Sequence, residues 1–282
     1  MKFSLLFFLV FASSPLFAQQ PVYQQFEVDS AAQPRGGMAY LQLFLQTNLR
    51  KPIAAQAAGK AVRTTVTGII EPDGRLTEVK AIPSNSPDAD REAVRVFSLF
   101  NAWQPARKGG ERVRQAINFP VLFKANEPFV YANGARIDHF DAKYAFVPMG
   151  SEQARFRQIT PLDANGINNG DVILEKGKGT NWQAVSRTKF VNRLRPANLS
   201  GPAAQVVGQQ TDDHSWTGTV YTLSMTGDLL EQQHYQNGIP DGMQTTYHEN
   251  GIVQQQTYSD KESTSSTSWY PTGQLKQTRS TK

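Results

Sequence analysis

Alternation of apolar and polar positions is clearest from Glu111 to Lys124, ERVRQAINFPVLFK. Val113, Gln115, Ile117, Phe119, Val121 and Phe123 share one parity, and all but Gln115 are apolar. Arg112, Arg114, Ala116, Asn118, Pro120 and Leu122 share the other, which is mostly polar. A period of two predicts a strand with one buried face. Pro120 offers no N–H to a ladder, which predicts an edge strand or a bulge. Upstream, Met38, Leu41, Phe44, Leu45 and Leu49 recur at helical spacing after the turn Pro34-Arg35-Gly36-Gly37, and Lys51-Pro52 closes that helix. Val62, Thr64, Val66, Gly68 and Ile70 predict a strand over about 61–71, Pro72-Asp73-Gly74 a turn, and Leu76 to Ile82 the return strand. Pro87 to Asp90 opens a second helix with acids in its first turn, and Ala89, Ala93, Val96, Phe97 and Phe100 form its apolar face. The expected fold is α+β, with two helices on a three-stranded antiparallel sheet.

Beyond Lys124 the pattern becomes β-like. Tyr131, Ile137, Phe140, Tyr144, Phe146 and Val147 predict short strands in a β-rich connecting region over 125–215. Three units then recur over 216–282. Met225-Thr226-Gly227-Asp228-Leu229 leads to Tyr235, Tyr247-His248-Glu249-Asn250-Gly251-Ile252 leads to Tyr258, and Tyr270-Pro271-Thr272-Gly273-Gln274-Leu275 closes the series. With Asn237-Gly238 and Asp241-Gly242 as turns, these predict a meander of hairpins, each too small to bury a core alone. Tyr235, Tyr247, Tyr258 and Tyr270 are expected to stack within the hairpin core.

Composition narrows the function classes. The 282 residues contain no cysteine, which excludes disulfides, thiolate metal sites and cysteine nucleophiles. The net charge of +5 lies in the first half: residues 19–124 carry 14 Lys and Arg against 9 Asp and Glu, and residues 125–282 carry 14 against 15. There is no dense basic run with interleaved aromatics, so no nucleic-acid partner is expected. Residues 1–18 read as a cleavable signal peptide: Lys2, an apolar run from Phe3 to Phe11, and Leu16-Phe17-Ala18 at the cleavage site. The run is short for a membrane span. The expected location is the periplasm or cell envelope, with a short linker over 19–33 and no span after cleavage.

The residues from 34 to 124 resemble the C-terminal domain of the TonB family. The resemblance is carried by Pro34-Arg35-Gly36-Gly37, Leu49-Arg50-Lys51-Pro52, Gly59, Val62 to Ile70, Pro72-Asp73-Gly74, Ala89 to Phe100, Trp103-Gln104-Pro105 and Ile117 to Phe123. It implies strand order 2-1-3 with the 111–124 strand at an edge. It also implies that a short extended segment of an outer-membrane transporter binds at that edge. The chain departs from the energy-transducing pattern: no retained anchor and no long Pro-rich linker are read, and the module is followed by further sequence. The region at about 220–275 resembles bacterial MORN-type repeats, with Tyr131-Ala132-Asn133-Gly134 and Phe140 as a degenerate earlier copy. That resemblance implies a scaffold or interaction surface.

The leading expectation is a non-enzymatic envelope protein that binds a partner's extended segment by strand addition. The partner-binding residues would be Arg112, Arg114, Ile117, Phe119, Val121 and Phe123. Arg107 and Lys108 flank the same strand and either keep the edge from aggregating or steer an acidic peptide. The same edge could form a homodimer. One alternative is a structural adaptor whose repeats carry recognition, another is a transport component, and the remotest is a secreted hydrolase. No catalytic residue, metal or cofactor is expected. His139, His214, His234 and His248 show no metal-ligand spacing, and neither a G-x-S-x-G elbow nor a paired-carboxylate motif occurs. Asp163 to Asp171 lacks the EF-hand spacing, and Lys176 to Thr180 lacks Walker spacing, so both are read as turns.

Overall fold

The structure is a computed structural model that describes residues 21–198, 201–259 and 263–281. The signal-peptide reading of residues 1–18 lies outside the described residues. The first unit runs through β1 (Val22–Tyr23), a 3-10 turn (Gln25–Glu27), β2 (Gln33–Pro34), α1 (Gly37–Asn48), α2 (Ile53–Ala58), β3 (Val62–Ile70), β4 (Leu76–Ile82), α3 (Pro87–Leu99), β5 (Trp103–Gln104), β6 (Ala106–Lys108) and β7 (Glu111–Phe123). α3 begins where Pro87 pre-sets a helical φ and Asp88 and Asp90 meet the positive end of its dipole. Its Ala89, Ala93, Val96 and Phe97 are fully buried against Leu41 and Phe44 of α1 and Val66 and Ile70 of β3. The six-residue α2 was not expected from the sequence. Pro52 caps its start, Gly59 ends it in the left-handed region, and only Ala55 of its residues is buried.

The sheet has five strands rather than three, and it is mixed. β3 pairs antiparallel with β4 on one side and with β7 on the other. β7 is therefore not an edge along its whole length. β6 pairs antiparallel with its Glu111–Val113 stretch, and β1 pairs parallel with Arg114 and Gln115. β1 and β6 are two and three residues long, too short to carry the alternation that reveals a strand in sequence.

From residue 130 onward the chain is a β-meander. It comprises β8 (Val130–Ala132), β9 (Ala135–Phe140), β10 (Phe146–Val147), β11 (Phe156–Pro161), β12 (Val172–Lys178), β13 (Asn181–Arg195), β14 (Ala204–Gln210), β15 (Trp216–Ser224), β16 (Leu229–Gln236), β17 (Ile239–Tyr247), β18 (Val253–Ser259), β19 (Thr264–Trp269) and β20 (Leu275–Thr281). From β11 to β20 each strand pairs antiparallel with the next, so residues on both sides of position 215 share one sheet. The long β13 pairs with β12 through its first half and with β14 through its second, which turns the sheet. Tyr258 and Tyr270 are exposed and do not fill a hairpin core, contrary to expectation.

The meander docks on the helices of the first unit. Ile252, 1% exposed, joins the core beneath α1 and α3. Buried Asn48 bridges the two parts: its Nδ2 donates to the Phe44 carbonyl at 2.9 Å, and its Oδ1 accepts the Val253 N–H at 2.7 Å. The Tyr40 hydroxyl donates to the Gly273 carbonyl, and the Arg50 guanidinium sits 5.4 Å from the Tyr247 ring centroid. The meander thus covers the helix face, and its strands form no pairs with β7.

Candidate strand-docking edge

Whether β7 can accept another strand depends on which of its N–H and C=O groups point outward. Along an antiparallel strand successive residues direct these groups to opposite neighbours. Two observations fix the phase. The two-residue turn Gly109-Gly110 closes the pair Lys108–Glu111, and the Arg107 N–H and C=O are bound to Ser30, away from β7. Glu111 and Val113 therefore face β6, which lies beside the β3–β4 turn, where Gly74 approaches the Trp103 carbonyl. On β3, the Glu71 N–H donates to the Arg75 carbonyl at 2.8 Å and the Glu71 carbonyl accepts from the Gly74 N–H at 2.9 Å, so Glu71 and the odd-numbered residues of β3 face β4, and Val62, Thr64, Val66, Gly68 and Ile70 face β7.

It follows that Gln115, Ile117, Phe119, Val121 and Phe123 face β3, opposite Ile70, Gly68, Val66, Thr64 and Val62. The N–H missing at Pro120 is missing from the outer side, where no internal ladder bond needs it. The outer side presents the backbone groups of Ala116, Asn118 and Leu122 and the carbonyl of Pro120. Among the described residues, no strand pairs with that side beyond Gln115, although the turn at Gln25–Glu27 packs against β7.

The side chains of Ile117, Phe119, Val121 and Phe123 point into the core. Val121 and Phe123 are buried at 1% and 3% exposure, Ile117 is half-buried, and Phe119 stacks on Phe97 with centroids 5.3 Å apart. They are core residues whose backbone groups face β3, so the expectation that they bind a partner is corrected: the outward groups of this stretch belong to the residues between them. The exposed side chains of this stretch are Asn118, Pro120 and Leu122.

The basic residues divide in the same way. Arg114 is mostly buried and grips Glu71 in a two-pronged pair, Nε to Oε2 and Nη2 to Oε1, both 2.9 Å. A bulge in β4 places Glu78 at φ 53° and brings its carboxylate 3.3 Å from the same guanidinium. Arg107 donates to the Gly110 carbonyl at 2.8 Å, and the Lys108 ammonium lies 4.1 Å from the Tyr23 ring centroid. Arg112 stays exposed.

Hydrogen bonding from Arg114, together with Thr77, holds the Glu71 carboxyl below the usual carboxylate range. A folded-state pKa depressed below the unfolded one contributes stability above the unfolded value, about 4.3, and the contribution disappears as pH falls through the folded value. Glu71→Gln should therefore destabilise the protein by about 1–3 kcal/mol at pH 7. The gap from wild type should narrow as pH falls below about 4, read as denaturant midpoints at pH 7 and at acid pH. An equal gap at both would exclude this ionic contribution.

The histidines do not converge on a catalytic cluster. Burial, then Arg157, pushes His139 below its ordinary pKa, and its ring meets Trp182 edge-on. His214 occupies a turn at φ 64°. His234 Nδ1 lies 3.4 Å from Thr219 Oγ1, and His248 Nε2 lies 2.9 Å from the Trp269 carbonyl. Among the described residues no group of three His, Cys, Asp or Glu could hold a metal ion. The carboxylates of the 163–171 loop cap backbone amides: Asp163 accepts from Asn165 and Ile167, and Asp171 from Phe190, all at 2.8 Å.

Residues 48–125 match the family model described as the C-terminal of the Gram-negative bacterial TonB protein. The match takes in α2, β3, β4, α3 and β7, the elements that build this edge. No curated protein and no solved structure matches the chain. Among the described residues no helix is long and apolar enough to cross a membrane.

Proposed function

We propose that the chain is a non-enzymatic cell-envelope protein whose TonB-type module captures an extended protein segment along the outer side of β7, from Ile117 to Phe123. The observation that carries this reading is the row of outward backbone groups at Ala116, Asn118 and Leu122, with the Pro120 carbonyl, without a paired strand. An added strand gains affinity from such main-chain groups and specificity from its own alternating side chains. Those side chains would run beside exposed Asn118 and Leu122 on the solvent face, with Arg112 placed to steer an acidic segment. The family match supports protein binding, and the signal-like residues 1–18 support an envelope location. A link to outer-membrane transport rests on the same match. A second copy of the chain is the competing occupant of the edge.

The docked meander favours a second reading, in which the MORN-like repeats carry recognition for an adaptor. Asn48 and Tyr40 hold its hairpins against the helices, as a fixed platform requires.

Amide hydrogen exchange tests the leading reading. In the free protein the Ile117, Phe119, Val121 and Phe123 amides, which face β3, should exchange slowly. Those of Asn118 and Leu122 should exchange fast, giving an odd–even sawtooth. Binding of a partner recovered from envelope extract should slow the even set. Protection of the even set that rises with protein concentration alone would assign the edge to a homodimer. Fast even amides in the partner-bound protein would rule out strand addition.

A further inference from the structure

A cavity of about 510 Å³ lies where the turning meander faces α2 and Phe129. Its wall is assembled from β9, β11, the 163–171 loop, β13, β14, β15 and β16. Arg136 and Asp138 are the charged residues of the lining, and they neutralise each other, with Nε 2.7 Å from Oδ2. The Arg136 guanidinium also packs 4.5 Å from the centroid of the Phe129 ring. Much of the remaining wall is uncharged and polar, with Gln158, Thr160, Thr188 and Thr219 beside the ring of Tyr221. Burial holds the Tyr221 phenol above its ordinary pKa, so it stays a neutral hydroxyl.

Two lining side chains carry unsatisfied polar atoms. Asp138 and Asn168 are 8% and 7% exposed, and Asp138 Oδ1 and Asn168 Nδ2 have no hydrogen-bond partner. The orientation of the Asn168 amide is not arbitrary. Gln209 Nε2 lies 3.0 Å from the Gly170 carbonyl, which can only accept, so this end of Gln209 is the donor. It also lies 2.7 Å from the Asn168 oxygen, which leaves the Asn168 NH₂ directed elsewhere. A buried carboxylate oxygen and a buried amide donor left unpaired each cost about 1–3 kcal/mol. Native structures rarely leave such groups without a partner or a role.

We infer that this cavity is a binding site for a neutral, polyhydroxylated ligand of mono- or disaccharide size. Hydroxyl groups both donate and accept, which matches a carboxylate acceptor, an amide donor and a wall of Thr and Gln. The Tyr221 ring gives the wall an aromatic surface that suits the apolar face of a sugar ring. Charged ligands are disfavoured because the one cation and the one anion are already paired. The volume lies within the range of small-molecule sites, about 300–1,000 Å³. The site is separate from the β7 edge and does not depend on the strand-docking reading.

The test uses the full chain with glucose, maltose, N-acetylglucosamine and chitobiose, and with glucose 6-phosphate and glucuronate as charged counterparts. Side-chain amide NMR signals of Asn168 and Gln209 are followed on titration. At least one neutral sugar should shift both signals saturably, and Asp138→Asn should weaken that binding tenfold or more, with neither charged sugar competing. Thr219→Val, a substitution on a partly exposed strand position, serves the same purpose if Asp138→Asn does not fold. Unchanged signals with every neutral sugar at 20-fold excess over a millimolar affinity (about 20 mM) would mean that the cavity holds water only and overturn the inference. Tighter binding of a charged sugar would also overturn it.

Discussion

Gly273→Ala should destabilise the protein by about 2–4 kcal/mol and release its last hairpin from the helices. Gly273 sits at φ 81° in the turn between β19 and β20, where a side chain strains the backbone. A Cβ there would lie 2.5 Å from Cδ2 of Phe44, a ring that is 1% exposed and locked 5.1 Å from Phe100. Phe44 cannot withdraw without opening the core of the first unit, so the hairpin must move instead. Its movement would also take the Gly273 carbonyl away from Tyr40. Gly227→Ala separates strain from collision. Gly227 has φ 90° in an equivalent turn, with no heavy atom within 4 Å of its would-be Cβ. It should cost only about 1 kcal/mol. Chemical denaturation gives both values, and limited proteolysis should cut only the Gly273 variant near its C-terminus. Equal losses in the two variants would show that contact with Phe44 does not determine the docking.

This dependence bears on how recognition by the meander is tested. Deleting residues 216–282 would remove Ile252 and the Val253 N–H bound by Asn48, and would uncover Phe44. Loss of partner capture after that deletion would report a damaged first unit as readily as a missing recognition surface. Substitutions on the exposed side of the meander, such as Met225 or Ile239, leave the docking contacts in place.

The elements most legible in the sequence were those long enough to repeat their period. β7 shows its buried face over 13 residues, and α3 shows an apolar stripe framed by Pro87 and two acids. The reading failed where the deciding information was not periodic. β1 and β6, which cover the first part of β7, are too short to alternate. Which backbone groups of β7 face outward depended on the phase of the ladder, set at the Glu71–Arg75 turn, and side-chain alternation does not report it. The earlier turns of the meander were hidden by substitution. Residues 141–145 and 211–215 form the same hydrogen-bonded turn as 224–228, 248–252 and 270–274. In the first two, Tyr144 and His214 occupy the left-handed position at φ 62° and 64° that glycine fills in the others. The candidate cavity was invisible for a similar reason, since Asp138, Asn168 and Gln209 are brought together only by the turn of the sheet.

Phe97→Ala should cost about 3–5 kcal/mol, the range for truncating a fully buried aromatic ring. Phe97 is 0% exposed and stands between two parts of the first unit. Its ring stacks on Phe119 of β7 and tilts against Trp103, with centroids 5.3 and 5.9 Å away. The cost therefore falls on the strand that carries the proposed docking edge. Phe119 is the middle of that edge, and without Phe97 its side chain loses the support that keeps the strand flat against α3. Beyond the fall in global stability, the Phe119 and Val121 amides should exchange faster than those of β3 residues remote from the cavity left by the ring. Captured partner should be lost at protein concentrations where far-UV circular dichroism still reports a folded chain. Phe97→Leu, which keeps most of the volume, should recover more than half of the stability and the partner binding with it. If Phe97→Ala stays folded and binds its partner as wild type does, the edge does not depend on its packing against α3.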